Sequence, residues 1–208
     1  MTDQSISEDN LKIGIFGGAF NPVHNGHIKL AEEYKKELAL DKVIFVPTSV
    51  PPHKSSSCLI SKEDRLNMLT LALENKEKLE ISDIEFNRSG KSYTYDTLVE
   101  IKKLYPNSQL YLIVGADQFL TFNLWYRYDD ILNMVTLCTA ARESDKQKDE
   151  LCAFAKTLKA DKIFVGSFDV LRVSSSEIRE KIKNQQDFSS LVDKKVYNYI
   201  IEKGLYRV

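Results

Sequence analysis

The sequence predicts an α/β protein built on a doubly wound parallel sheet, with a small C-terminal helical cap. Two observations predict the sheet. Short apolar runs alternate with helical patterns along most of the chain. The runs are almost continuously apolar, as strands buried on both faces are. A third observation predicts the cap: after Val173 two helical segments follow with no strand between them.

The elements read as follows. KIGIF (12–16) is a strand ended by Gly17 and Gly18. Residues 26–40 place Ile28, Ala31, Tyr34 and Leu38 on one helix face, and KVIFVP (42–47) is a strand stopped by Pro47. Residues 61–73 form a helix with Ser61 as its cap and Leu66, Leu69 and Leu73 as its stripe. LEISDIEF (79–86) reads as a strand. Residues 95–105 read as a helix using Leu98, Ile101 and Leu104, with Pro106 as its stop. QLYLIVGAD (109–117) is the clearest buried strand. VTLCTAAR (135–142) and KIFVG (162–166) are strands on either side of a helix around 150–158. Ser174 through Glu177 form a capping box for a helix to about Lys183, and a last helix spans about 191–203 with Gly204 as its cap. We read 1–208 as one domain, with 12–172 the sheet core and 173–208 the helical part.

Composition narrows the function. With 29 basic and 30 acidic residues the net charge is −1, so no broad field favours nucleic acid or an anionic membrane, and any anion site must be local. No apolar stretch approaches the ~20 residues of a membrane span. The polar, acidic start MTDQSISEDN is no signal peptide. Three scattered cysteines (Cys58, Cys138 and Cys152) make no disulfide framework. A cytoplasmic location is expected.

Polar punctuation gathers where the strands end, which is where ligands bind in such sheets. All three histidines (His24, His27 and His53) lie in the first quarter of the chain. In GGAFNPVHNGH (17–27), glycines follow a strand and precede a helix, so backbone N–H groups and the helix N-terminus can receive an anion. The segment is neither a P-loop, since no Lys-Ser/Thr pair follows the glycines, nor the dinucleotide fingerprint. His24 and His27 can aim ring N–H groups at one phosphate and stabilise charge that grows during its transfer. A surface capping pair, or a zinc site completed by His53, are the competing readings. VSSSEIR (173–179) is a second anion candidate through Ser174, Ser176 and Arg179, and an ordinary capping box is its competitor. PPHK (51–54) ends in two donors. Asp117 follows the central strand and can accept from ribose hydroxyls, with holding a metal as the competing reading. Trp125, the only tryptophan, can stack on a heterocycle or fill the core.

HNGH (24–27) resembles the paired-histidine motif of the nucleotidyltransferase superfamily. GGAFNPVHNGH, VPPHK, SYTYDTL (92–98), GADQFLTFNLWY (115–126) and VSSSEIR, in that order, resemble bacterial nicotinate-nucleotide adenylyltransferases from about Lys12 to the terminal GLYR. Asn21 and Ala19 stand where Asp and Thr are frequent, and the proline often found after the arginine is missing beyond Arg142.

The resemblance implies a Rossmann-like nucleotidyltransferase fold and the reaction of ATP with nicotinate mononucleotide to deamido-NAD and pyrophosphate. It also implies Mg2+ accompanying ATP, and a place in NAD biosynthesis. In that reaction the mononucleotide phosphate attacks directly, with no covalent intermediate. The catalytic residues implied are His24, His27, Lys54 and Arg179. ATP would also meet Gly17, Gly18, Ala19, Asp117, Ser174 and Ser176. The mononucleotide would meet His53, Lys54, Thr94, Trp125, Tyr126 and Arg142, with backbone N–H groups near Thr94 and Tyr126 receiving its carboxylate. No protein metal site, nucleic acid or membrane is implied, and a homo-oligomer stays open. Alternatives are adenylyl transfer to nicotinamide mononucleotide or to phosphopantetheine, and a non-catalytic nucleotide- or zinc-binding regulator.

Overall fold

A computed structural model describes residues 10–51, 59–141, 145–168 and 171–207. Among these described residues six strands form one sheet: β1 (Lys12–Gly18), β2 (Lys42–Pro47), β3 (Leu79–Ile81), β4 (Gln109–Ile113), β5 (Val135–Ala141) and β6 (Ile163–Ser167). The helices between and after them are α1 (Asn25–Glu37), α2 (Lys62–Leu73), α3 (Thr94–Leu104), α4 (Ala116–Phe119), α5 (Tyr128–Met134), α6 (Asp145–Thr157), α7 (Ser175–Lys183) and α8 (Lys194–Lys203).

The strand order is β3-β2-β1-β4-β5-β6, and every pairing is parallel. β1 is therefore central, with Ile15 beside Ile44 on one side and Leu112 on the other. The winding reverses between β1 and β4. A crevice opens there at the carboxyl ends of the strands.

Strand side chains alternate between two cores. Phe16 and Phe45 join Tyr34, Met68, Ile178 and Val196 on one face. Ile13, Ile15, Ile44 and Val46 join Leu98, Ile101, Ile131 and Leu151 on the other. Full burial of each such side chain contributes roughly 1.5–3 kcal/mol. Gly14 is closely packed: a Cβ there would lie 3.0 Å from side-chain atoms of both Leu40 and Val43, which would have to give way. The helices after Val173 share the first core through Ile178, Ile182, Val196 and Ile200. Gly204 ends α8 in the left-handed conformation, φ 63°, as its place in the sequence predicts.

Several expected boundaries shift. β3 stops at Ile81 instead of Phe86. It is an edge strand paired only with β2, and after Ser82 donates to the Phe45 carbonyl the chain turns, Phe86 N–H meeting the Asp83 carbonyl at 2.7 Å. β4 ends at Ile113, and Ala116–Phe119 turns into a helix. The buried face of α2 runs through Arg65, Met68, Leu69, Ala72 and Leu73, so Leu66 lies beside it. Leu104 is 65% exposed, and Tyr105 packs against the second core in its place. Among the described residues no helix is long and apolar enough to cross a membrane.

Candidate active site

A cavity of about 590 Å³ opens at the switch between β1 and β4. That volume suits a small-molecule site. Its wall includes Gly17, Gly18, Ala19, His24 and His27 from the β1–α1 segment, and Asp117 from α4. It also includes Ser174, Ser176 and Arg179 at the start of α7, and Thr94, Trp125 and Tyr126. Five separate chain segments thus bring twelve of the expected site residues to one space. His53, Lys54 and Arg142 lie outside the described residues.

The paired histidines have a defined geometry. His24 caps α1: its Nδ1 accepts the His27 backbone N–H at 3.3 Å, and His27 Nδ1 accepts the His24 backbone N–H at 3.2 Å. The rings stack, with centroids 3.6 Å apart and planes at 22°. Phe20 meets the His27 ring edge-on at 5.1 Å and Phe16 does so at 5.9 Å. A nitrogen that accepts carries no proton, so in the neutral rings Nε2 is the N–H donor. The tautomer follows from the hydrogen bonds. The capping reading and the anion-binding reading are therefore compatible, since one ring nitrogen serves each.

Gly26 explains the small residue between the histidines. A Cβ there would sit 2.7 Å from Val173 Cγ1 and 3.1 Å from His24 Nδ1. The histidine segment and the start of the serine-rich segment are in direct contact. Hydrogen bonds tie them further. Ser175 Oγ donates to the Pro22 carbonyl at 2.8 Å, and Arg179 Nη1 donates to the Asn21 carbonyl at 2.8 Å. The Asn21–Pro22 peptide is cis. Ser174 caps α7 by accepting from the Glu177 N–H at 3.1 Å, and Ser176 Oγ accepts from Arg179 Nη2 at 3.1 Å. Two helix N-termini thus meet one cavity.

A third helix start lies across the space. The N-terminal cap position of α3, Tyr93, makes no side-chain capping bond. The Tyr93 ring rests on that of Tyr126, with centroids 4.7 Å apart, so the Thr94 and Tyr126 segments adjoin. Trp125 packs on Phe122 at 5.0 Å and also lines the cavity, a core contact and a cavity wall at once.

Three polar residues at this site escape the sequence reading. Arg65, 1% exposed, uses Nη1 to reach the Ala19 carbonyl at 2.9 Å and the Thr48 carbonyl at 2.7 Å. It clips the β1 and β2 loops together. Burial pulls its pKa below the usual value, against the influence of Tyr206 and Glu85. Its signal in the sequence is an arginine at helical spacing from Leu69 and Ala72. Tyr206, near the end of the chain, donates to Asn21 Oδ1 at 2.9 Å. Burial drives its phenol well above the ordinary range, opposed by Arg179 and Arg65. Glu85 is the third: it is 6% exposed and lines the cavity.

A parallel sheet whose switch point is ringed by histidine, serine and arginine donors marks a nucleotidyltransferase, and residues 15–181 match the cytidylyltransferase-like family model. Among relatives, a probable nicotinate-nucleotide adenylyltransferase of Clostridium tetani is 41% identical over 202 residues, covering 94% of this chain and 99% of that protein. One from Carboxydothermus hydrogenoformans is 40% identical, covering 94% and 98%. The chain belongs to the nicotinate-nucleotide adenylyltransferase family. A solved structure of Plasmodium falciparum nicotinic acid mononucleotide adenylyltransferase, complexed with NaAD, superimposes with a TM-score of 0.79. At 23% identity over 95% of this chain and 98% of that one, it shows the shared fold.

Proposed function

We propose that this chain transfers the adenylyl group of ATP to nicotinate mononucleotide, forming nicotinate adenine dinucleotide (deamido-NAD) and pyrophosphate for NAD biosynthesis in the cytoplasm. The observation that carries the reading is the division of one cavity: two donor-rich helix starts, those of α1 and α7, on one side, and the α3 start with its aromatic neighbours on the other.

In this reading an oxygen of the mononucleotide phosphate bonds to the α-phosphorus of ATP. The bond from that phosphorus to the bridging oxygen breaks, and pyrophosphate leaves with the electron pair. Such a transfer needs positioning and charge stabilisation rather than an enzyme nucleophile. His24 and His27 donate through Nε2 to the triphosphate. Ser174, Ser176 and Arg179 hold its far end, and Gly17, Gly18 and Ala19 offer close backbone. Asp117 receives the ribose. Trp125 stacks on the pyridine ring, and N–H groups near Thr94 and Tyr126 take the carboxylate. His53, Lys54 and Arg142 complete the proposed set. Because Arg179 and Ser175 also bond the β1–α1 segment, residues 173–208 act within one catalytic domain with the sheet.

A divalent ion fits as part of the substrate. Asp117 and Glu85 are the carboxylates on the described wall, and among the described residues no three His, Cys, Asp or Glu gather as a metal cage. Mg2+ characteristically keeps waters and binds substrate phosphates, so it would arrive as MgATP and neutralise phosphate charge.

The test is to incubate the protein with MgATP and nicotinate mononucleotide and separate the products. Nicotinate adenine dinucleotide and pyrophosphate in equal amounts are expected. ATP hydrolysis without a dinucleotide, or no reaction, would overturn the reading.

A further inference from the structure

Adenylyl transfer as described leaves one buried carboxylate on the cavity wall without a role. Glu85 follows β3, and both its oxygens are engaged. Oε1 accepts from the Thr97 hydroxyl of α3 at 2.7 Å, and Oε2 accepts from the Ser49 N–H, beyond β2, at 3.4 Å. The Ser49 N–H is shared with Ser92 Oγ at 3.2 Å, and Ser92 Oγ also accepts from the Val50 N–H at 3.3 Å. Ser92 N–H returns a bond to the Val50 carbonyl at 2.9 Å. On the far side Arg88 donates to Thr97 Oγ1 at 2.6 Å and pairs with Glu100 at 2.9 Å. The loop after β2 and the start of α3 are thus joined through one carboxylate and one serine hydroxyl.

We propose that Glu85 is a positioning residue for the mononucleotide: it holds the N-terminal end of α3 against the β2 loop and so fixes the cavity wall around Thr94. The inference rests on nicotinate mononucleotide being the acceptor. A carboxylate suits the task because its two oxygens meet two different segments at once, Oε1 the Thr97 hydroxyl and Oε2 the Ser49 N–H. Its loss leaves the Ser49 N–H on the Ser92 hydroxyl alone and the Thr97 hydroxyl on the Tyr93 carbonyl alone, so the bond that ties α3 to the β2 loop through residue 85 is gone. The histidine and serine-rich segments make none of the bonds just described. The effect therefore belongs to the acceptor and spares ATP.

Three variants test this: Glu85→Ala, Glu85→Gln and Ser92→Ala. Each is compared with the wild type by steady-state kinetics in both substrates and by nicotinate mononucleotide quenching of the single tryptophan, Trp125. Removing the buried acceptor in Glu85→Ala should raise KM and Kd for the mononucleotide by ~10-fold or more, leaving KM for ATP within about twofold. Glu85→Gln should stay within about threefold of wild type. Its amide oxygen can take the Ser49 N–H while its NH2 donates to Thr97 Oγ1, whose own proton can turn to the Tyr93 carbonyl at 3.3 Å. Should Glu85→Ala not fold, Ser92→Ala carries the same expectation. Equal losses for both substrates, or none, would overturn the proposal. Glu85→Gln as damaging as Glu85→Ala would also overturn it, because charge rather than bonding would then be at work. Failure of the wild type to bind or use the mononucleotide would instead remove the reading on which the inference rests.

Discussion

His24 and His27 cap each other: each backbone N–H is bonded to the other's Nδ1, at 3.2 and 3.3 Å, with the rings stacked 3.6 Å apart. Each ring therefore holds helix α1 with one nitrogen and keeps Nε2 as a donor. The two tasks can be separated by substitution. In His24→Asn the side-chain oxygen can replace Nδ1 as the cap, and Asn is among the best N-caps. Thermal stability should stay near wild type while kcat falls by ~10²-fold, the worth of a donor to transition-state charge. His24→Ala should lose about 1 kcal/mol of stability as well. Calorimetry and initial rates on the two variants check this. Full activity in His24→Asn would remove the Nε2 donor from the mechanism.

Gly26 predicts a steric coupling. An added methyl would stand 2.7 Å from Val173 Cγ1 and 3.1 Å from His24 Nδ1, and both neighbours belong to segments proposed to bind phosphate. Gly26→Ala should depress kcat/KM for ATP more than for the mononucleotide. Trimming the obstacle in the double variant Gly26→Ala, Val173→Ala should restore part of it. Rates for the two variants decide the point. A single variant as active as wild type would show that the contact relaxes at no cost.

Trp125 lies at the boundary of core and cavity. Its packing on Phe122 predicts some loss of stability on truncation, and its place on the wall predicts a larger kinetic effect. Trp125→Ala should raise KM for the mononucleotide by ~10-fold or more, in line with an aromatic stacking contribution of about 1 kcal/mol beyond lost contact area. KM for ATP should hardly move. A rise confined to ATP would contradict the assignment of the ring.

The sheet and its motifs were legible in the sequence because their causes are local. Tyr34 and Ile28 declare α1 by helical spacing, and the unbroken apolar run through Leu112 and Ile113 declares a strand buried on both faces. The twelve described residues expected at the site meet because strand ends converge at a switch point, a property of the fold class. What escaped depends on contacts between distant segments. Tyr206 reaches Asn21 across 185 positions, and Arg65 reaches Ala19 across 46. Tyr206 leaves no periodic trace, and the helical spacing of Arg65 from Leu69 and Ala72 shows its face but not its partner. The short elements α4 and α5 also went unforeseen, and so did the left-handed turn at Arg127 that opens α5. Pieces of four and seven residues have little signal of their own and are held by packing. Glu85 was hidden differently: its segment reads as strand, and only the early end of β3 places it in the wall.

In the proposed reaction the acceptor is a pyridine mononucleotide recognised by its carboxylate. Pyrophosphate release with MgATP and either nicotinate or nicotinamide mononucleotide, compared by kcat/KM, decides this. In the proposed site the backbone N–H groups near Thr94 and Tyr126 would face the ring substituent, favour a carboxylate and leave a carboxamide NH2 unpaired, so a preference of ~10²-fold or more for the nicotinate form is expected. Equal use of the two mononucleotides, or a preference for nicotinamide, would contradict it.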